Sequence, residues 1–183
     1  MSRILAFAGS LRRGSFNRQA LAVAVEGARG AGAEVTLLDL ADLPLPLFDQ
    51  DFETREGLPV NARKLKDLMI AHSGFLIACP EYNSSITPLL KNTIDWASRG
   101  VGTESGSLPY RNKIIGLVAA SAGVLGGLRG LRHVREILGN LGCVVLPEQH
   151  ALARADTALS DDKARQALQA VGARVAAVCA NWK

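Results

Sequence analysis

Ile4-Leu5-Ala6-Phe7-Ala8-Gly9-Ser10-Leu11-Arg12-Arg13-Gly14-Ser15-Phe16-Asn17 changes character twice along its length. The first five residues form an unbroken apolar run, the pattern of a strand buried on both faces. At Gly9 the run yields to glycine, hydroxyl and guanidinium groups. From Asn17 to Arg29, Leu21, Ala24, Val25 and Ala28 then recur on one helical face, and Gly30 and Gly32 end the pattern. A buried strand, a polar loop and an amphipathic helix thus follow one another directly.

The same succession repeats outward from this stretch. Glu34 to Leu38 reads as a second strand, Asn61 to Ser73 as a helix with Leu65, Leu68 and Met69 on one face, and Phe75 to Cys79 as a third strand. Thr87-Pro88 has the form of an N-cap followed by proline at the first helical position, with Leu89, Leu90, Ile94 and Ala97 at helical spacing. Lys113 to Ala120 is a fourth strand, Gly127 to Leu138 a helix and Cys143 to Leu146 a fifth strand. Ser160 opens a final helix, with Asp161 and Asp162 in its first turn. Five strands separated by helices define an α/β fold with a parallel sheet and helices on both faces. At this length the flavodoxin-like strand order 2-1-3-4-5 is expected. No repeat or composition break divides the chain, so residues 1–183 read as one domain. Ala41 to Val60 is the irregular stretch, with Pro44, Pro46 and Pro59 and five acids; it is either a solvated loop or a segment that binds or packs on something.

Composition bounds the function. Of the 183 residues 48% are hydrophobic and 21% charged, which supports a packed core and excludes global disorder. The net charge of +4 and pI of about 9.2 favour anionic partners only weakly. No basic tract is present, so nucleic acid is not expected as a partner. Ile114 to Leu128 is too short and glycine-rich to span a bilayer, and Ile4 to Ala8 is too short for a signal-peptide core, so a cytoplasmic location is expected. Cys79, Cys143 and Cys179 lie far apart with no C-x-x-C or Cys/His spacing, which predicts buried thiols in a reducing compartment and no metal site.

In a sheet of this order, ligands bind beyond the carboxyl ends of the strands, at the switch point between strands 1 and 3. Gly9–Asn17 and Pro80–Thr87 are therefore expected to meet there, with Ser121–Gly126 alongside. The first loop carries two hydroxyls, an amide and two guanidinium groups into a helix N-terminus, whose free N–H groups and dipole attract anions. Each arginine contact in a desolvated setting contributes roughly 1.5–3 kcal/mol. A phosphate monoester fits this chemistry, and a capped helix with solvated arginines is the simpler alternative. The loop is neither a Walker loop nor G-x-G-x-x-G, although Asp39 ends strand 2 where a ribose-binding acid would stand. The second loop, Pro80-Glu81-Tyr82-Asn83-Ser84-Ser85-Ile86-Thr87, is either a turn satisfying its own backbone or a platform for a planar heterocycle, with Tyr82 as a flat surface. Three glycines in Ser121–Gly127 make that segment a flexible turn or a place of close backbone approach. No G-x-S-x-G elbow or paired-acid set accompanies these loops, and no cysteine lies in the first, so a bound cofactor is expected to supply the reactive group.

Gly9-Ser10-Leu11-Arg12 with Ser15-Phe16-Asn17, Pro80-Glu81-Tyr82-Asn83, and Leu90-Lys91-Asn92-Thr93-Ile94-Asp95-Trp96 together resemble the NADPH-dependent FMN reductase family, in particular its bacterial quinone, chromate and azo-dye reductases. The resemblance covers nearly the whole chain in the expected order. It implies that Ser10, Arg12, Ser15, Phe16 and Asn17 hold the FMN phosphate. Pro80, Glu81, Tyr82 and Asn83 would line the isoalloxazine, and Ser121 and Gly123 would approach its pyrimidine or ribityl side. It further implies a homodimer or homotetramer with the site near a subunit boundary, so that Glu81 and Tyr82 serve the interface as well. Ser84 stands where many relatives are expected to carry Gly or a basic residue.

The expected function is hydride transfer from NADPH or NADH through FMN to quinones or artificial acceptors such as chromate and azo compounds, with no catalytic residue beyond the flavin. Arg129, Arg132 and Arg135, three apart on one helix, are either a solvated or interfacial face or cations for NADPH phosphates. A flavodoxin-like electron carrier with no substrate of its own and a nucleotide- or phosphosugar-binding regulatory module are the rival readings of the same loops.

Overall fold

The computed structural model describes residues 2–182. Along the chain run β1 (Arg3–Ala8), α1 (Phe16–Gly30), β2 (Glu34–Leu38), a 3-10 turn (Leu40–Asp42), α2 (Gln50–Glu56), α3 (Val60–Ala71) and β3 (Gly74–Ala78). They are followed by β4 (Glu81–Tyr82), β5 (Ser85–Ile86), α4 (Pro88–Ala97), β6 (Ile114–Ala120), α5 (Leu128–Asn140), β7 (Val144–Leu152), α6 (Ala155–Ala158) and α7 (Asp162–Asn181). The main sheet has the order β2-β1-β3-β6-β7, every neighbouring pair parallel. This is the expected 2-1-3-4-5 arrangement.

Period-two alternation sorts the core into two layers. Ile4, Ala6 and Ala8 of β1 pack with Leu76, Val118 and the inner faces of α1 and α7. Leu5 and Phe7 pack on the other side with Phe75, Ile77, Leu117 and residues of α3, α4 and α5. Burial on both sides is why β1, β3 and β6 read as continuous apolar runs. Small residues bring α1 and α7 together: a Cβ on Gly27 would fall on the Gln169 carbonyl, and one on Gly172 on the Ala24 carbonyl.

Four local features differ from the sequence expectation. The irregular stretch contains α2, started by Asp49, whose carboxylate accepts from Asp51 N (2.7 Å) and Phe52 N (3.0 Å). The helix buries no residue of its own, and tertiary contacts hold it. Phe48 and Phe52 meet the Trp96 ring edge-on at 5.0 and 6.1 Å, while Arg99 pairs with Glu53 at 2.8 Å. The Pro80–Thr87 loop folds into the β4–β5 hairpin. Strand β7 runs on to Leu152, beyond the expected Leu146, through a bulge. Pro147 has no N–H for the ladder, and pairing skips from Ile115↔Val145 to Leu117↔Gln149. Finally, Asp161 rather than Ser160 caps α7, accepting from Ala164 N at 2.8 Å.

Arg135 fills the bulge. Its guanidinium donates to Val145 O (3.1 Å), Leu146 O (2.7 Å) and Gln149 Oε1 (2.8 Å), tying α5 to the bulged part of this edge strand. Among the described residues no helix is long and apolar enough to cross a membrane.

Candidate functional site

The carboxyl ends of β1, β3 and β6 lie side by side, with Ala8 opposite Ala78 and Ala78 opposite Val118. The three loops leaving them therefore share one edge of the sheet. Gly9 N donates to Ala78 O at 2.9 Å, and Thr87 Oγ1 donates to Gly9 O at 2.8 Å while accepting from Leu90 N at 3.2 Å. One buried hydroxyl thus caps α4 and fixes the first loop. Glycine is required at position 9, because a Cβ there would lie 2.9 Å from Leu90 Cβ and 3.2 Å from Thr87 Oγ1.

Beyond Gly9 the loop is organised as an anion wall. Ser10 Oγ accepts from Arg12 N (3.3 Å), and Ser15 Oγ accepts from Arg18 N (3.4 Å) as the N-cap of α1. Among the described residues neither hydroxyl has an acceptor, so both protons are free to donate. The N–H groups of Phe16 and Asn17 start the helix and have no acceptor among the described residues. The Arg12 guanidinium stands over the Phe16 ring, 5.6 Å from its centre, so the half-buried ring orients an exposed cation. Asn17 plays a different part. Its buried carboxamide donates to Ala120 O (2.7 Å) and accepts from Ala120 N (3.0 Å), pinning the start of α1 to the end of β6. Of its polar groups, the main-chain N–H is the one left without an acceptor among the described residues.

The opposite wall is the β4–β5 hairpin. Asn83 (φ 49°) and Ser84 (φ 67°) form its two-residue turn, both left-handed as a type I′ hairpin demands. Tyr82 is 58% exposed at the rim. The Glu81 carboxylate points away, accepting from Gly130 N at 2.9 Å with Arg129 4.0 Å distant. The third loop folds back on β7: Ser121 N donates to Leu152 O (3.1 Å), Ala155 N to Ser121 O (3.0 Å) and Arg154 N to Gly123 O (3.3 Å).

These walls enclose a cavity of about 230 Å³ lined by Ser10, Arg12, Ser15, Phe16, Asn17, Pro80, Glu81, Tyr82 and Ser121. Ala120 and Ala122 complete the lining; the sequence reading missed them, and only their position beside Ser121 signals them. Asn83 at the hairpin tip and Gly123 lie outside the lining. A smaller cavity shares Ser10 and contains Asp39, which is already engaged by Arg18 (2.5 Å) and Ala41 N (3.1 Å). Of the three helix arginines, Arg135 is committed to the β7 bulge, Arg129 donates to Ser84 Oγ (3.2 Å), and Arg132 is exposed. Behind Pro80, burial and then the Glu81 charge push the Cys79 thiol up to about 12, so it stays protonated at neutral pH.

The donor set fits a phosphate monoester: two hydroxyls, two free helix N–H groups and one guanidinium on one wall, and no carboxylate turned toward them. Combined with a flat aromatic rim at the switch point of a doubly wound sheet, it defines a flavodoxin-like mononucleotide-binding protein. Residues 2–157 match the model of the NADPH-dependent FMN reductase family, and the chain belongs to that family. It is an FMN-dependent oxidoreductase with NAD(P)H as electron donor. The chain is 33% identical over 174 residues to an NAD(P)H-dependent FMN reductase of Pseudomonas aeruginosa, covering 91% of this chain and 89% of the relative. It is 36% identical over 145 residues to a quinone reductase of Escherichia coli, covering 79% and 73%. Among solved structures, a flavoenzyme NAD(P)H:(acceptor) oxidoreductase from Paracoccus denitrificans superposes with a TM-score of 0.79 at 26% identity, covering 100% of this chain and 99% of that one.

Proposed function

We propose that this protein reduces quinones with NAD(P)H, using FMN held in the three-loop cavity. When bound, FMN would supply the two-electron redox chemistry between NAD(P)H and the quinone. The observation that carries the reading is the convergence of nine of the eleven sequence-selected residues on one cavity, with the cation and free N–H groups on one side and the hairpin on the other. Ser10, Arg12, Ser15 and the N–H groups of Phe16 and Asn17 hold the phosphate. Pro80, Tyr82 and Asn83, with the backbone of Glu81, border the isoalloxazine, and Ser121 and Gly123 approach its pyrimidine or ribityl side. The chain contributes alignment and exclusion of water rather than an acid or base. Quinone acceptors are supported by the names of the relatives; chromate and azo compounds are the artificial acceptors this reading also includes.

The assembly in this reading is a homodimer or homotetramer. Exposed Leu11, Val124 and Leu125 stand on the first and third loops, and Leu47 is 79% exposed, surfaces that suit a second copy. Three buried, unpaired thiols support a cytoplasmic location.

The test is a visible spectrum of the FMN-reconstituted protein under anaerobic conditions. Bleaching by NADPH followed by recovery on adding benzoquinone is the expected result. Bound flavin that stays oxidised would instead identify an electron carrier, and failure to bind FMN would remove the cofactor from this cavity. Light scattering checks the assembly: a mass of one chain would overturn it.

A further inference from the structure

Helix α5 starts without a cap of its own. Its N-cap position is Gly127, left-handed at φ 93°, where a Cβ would lie 2.8 Å from Ala119 Cβ. No side chain can therefore reach back to the first turn from that position. Two of the first-turn donors are satisfied by nearby carbonyls, Leu128 N by Leu125 O (3.0 Å) and Leu131 N by Gly127 O (3.2 Å). The Gly130 N–H is satisfied from 49 residues upstream, by Glu81 Oε2 at 2.9 Å. The carboxylate is only 15% exposed and lies at the positive end of a 13-residue helix. Two outer contacts run parallel to it: Arg129 donates to Ser84 Oγ (3.2 Å), and His133 Nδ1 meets Ser85 Oγ (3.0 Å).

We propose that Glu81 is a positioning residue, a cap supplied in trans that fastens the β4–β5 hairpin to α5 and so holds the hairpin backbone where it borders the flavin. The side chain is turned from the cofactor; its effect on FMN passes through Gly130 and the hairpin. A two-residue strand pair with a left-handed turn has little stability by itself, and β4–β5 pairs with no strand of the main sheet. The carboxylate is its most buried polar tie to the rest of the molecule.

This inference rests on FMN occupying the three-loop cavity, and its test separates the two claims. Amide hydrogen exchange at Gly130 is measured in the flavin-free protein, and the FMN dissociation constant by quenching of flavin fluorescence. In Glu81→Ala, loss of a charge-assisted hydrogen bond should speed Gly130 exchange and raise the FMN dissociation constant, each by about tenfold or more. Glu81→Gln keeps an acceptor oxygen and loses the charge; amide oxygens cap helices about as well as carboxylates, so both values should return to within about threefold of the parent. Glu81→Gln binding FMN as poorly as Glu81→Ala with Gly130 still protected would show the charge acting on the flavin directly and overturn the proposal. Fast Gly130 exchange in Glu81→Ala with unchanged FMN affinity would overturn it as well. Failure of the parent protein to bind FMN would defeat the cavity assignment alone, because the exchange measurement still reads the cap.

Discussion

Asn17 and Ala120, 103 residues apart, exchange two hydrogen bonds: the carboxamide donates to the Ala120 carbonyl and accepts from its N–H. The contact ties the start of α1 to the end of β6 at the floor of the cavity. In Asn17→Ala both main-chain groups of Ala120 lose their partner in a buried setting, and unfolding free energy should fall by about 2–4 kcal/mol. Urea denaturation of the flavin-free protein measures this. Asn17→Asp loses the donor and sets a carboxylate beside the phosphate wall, so it should weaken FMN binding as well.

Arg12 is the exposed cation of that wall. Arg12→Ala removes a charge-assisted contact worth roughly 1.5–3 kcal/mol, so the FMN dissociation constant should rise about 10- to 150-fold. Fluorescence titration reads the change. Unaltered affinity would remove Arg12 from the phosphate site.

How much of this was legible depends on the range of the interaction concerned. The apolar run of β1, the Thr87-Pro88 helix start and the convergence of the three loops are local pattern plus topology, and the structure has them as the sequence reading placed them. Helix α2 was not legible because none of its residues is buried; Trp96 and Arg99, more than forty positions away, hold it. Strands β4 and β5 have two residues each, too few to show a period. Asn17 stands out in the sequence as a polar group in the first loop, but no local signal pairs its carboxamide with Ala120. Likewise the family resemblance places Glu81 along the isoalloxazine or at a subunit interface, and only the approach of α5 reveals where its carboxylate goes.

Ser84 adopts a left-handed conformation at φ 67°, which costs a non-glycine residue about 1–2 kcal/mol. Ser84→Gly should raise stability by about 1 kcal/mol, the exposed contact with Arg129 offsetting part of the gain. A higher thermal midpoint checks it.

Arg135→Ala leaves the carbonyls of the β7 bulge without a donor. Stability should fall by about 2 kcal/mol in urea denaturation, a loss expected of a charged donor to part-buried main chain. Arg132→Ala, at an exposed position on the same helix, should lie within about 0.5 kcal/mol of the parent.

The three thiols set an alkaline limit. Burial raises Cys79 and Cys143 to about 12 and Cys179 to about 11, against an ordinary value of 9.0. A thiol whose folded value is raised favours the protonated, folded form; its contribution is complete below pH 9 and is lost as the unfolded chain ionises above it. Between pH 9 and the folded value, each thiol should lower stability by roughly 1.4 kcal/mol per pH unit. Cys79 is fully buried, so Cys79→Ala should be less stable than the parent at pH 7 through lost packing; without the raised thiol it should also lose stability less steeply from pH 9 to 11 in urea denaturation.

The β4–β5 hairpin is paired with no strand of the five-stranded sheet and is joined to the rest of the fold mainly through side chains. Lengthening its two-residue turn or changing Tyr82, Asn83 or Ser84 leaves the sheet register and both core layers as they are. Descendants of this chain can therefore remodel the hairpin without rebuilding the sheet or the phosphate wall, and what constrains its sequence is the proposed flavin contact rather than the fold that carries it.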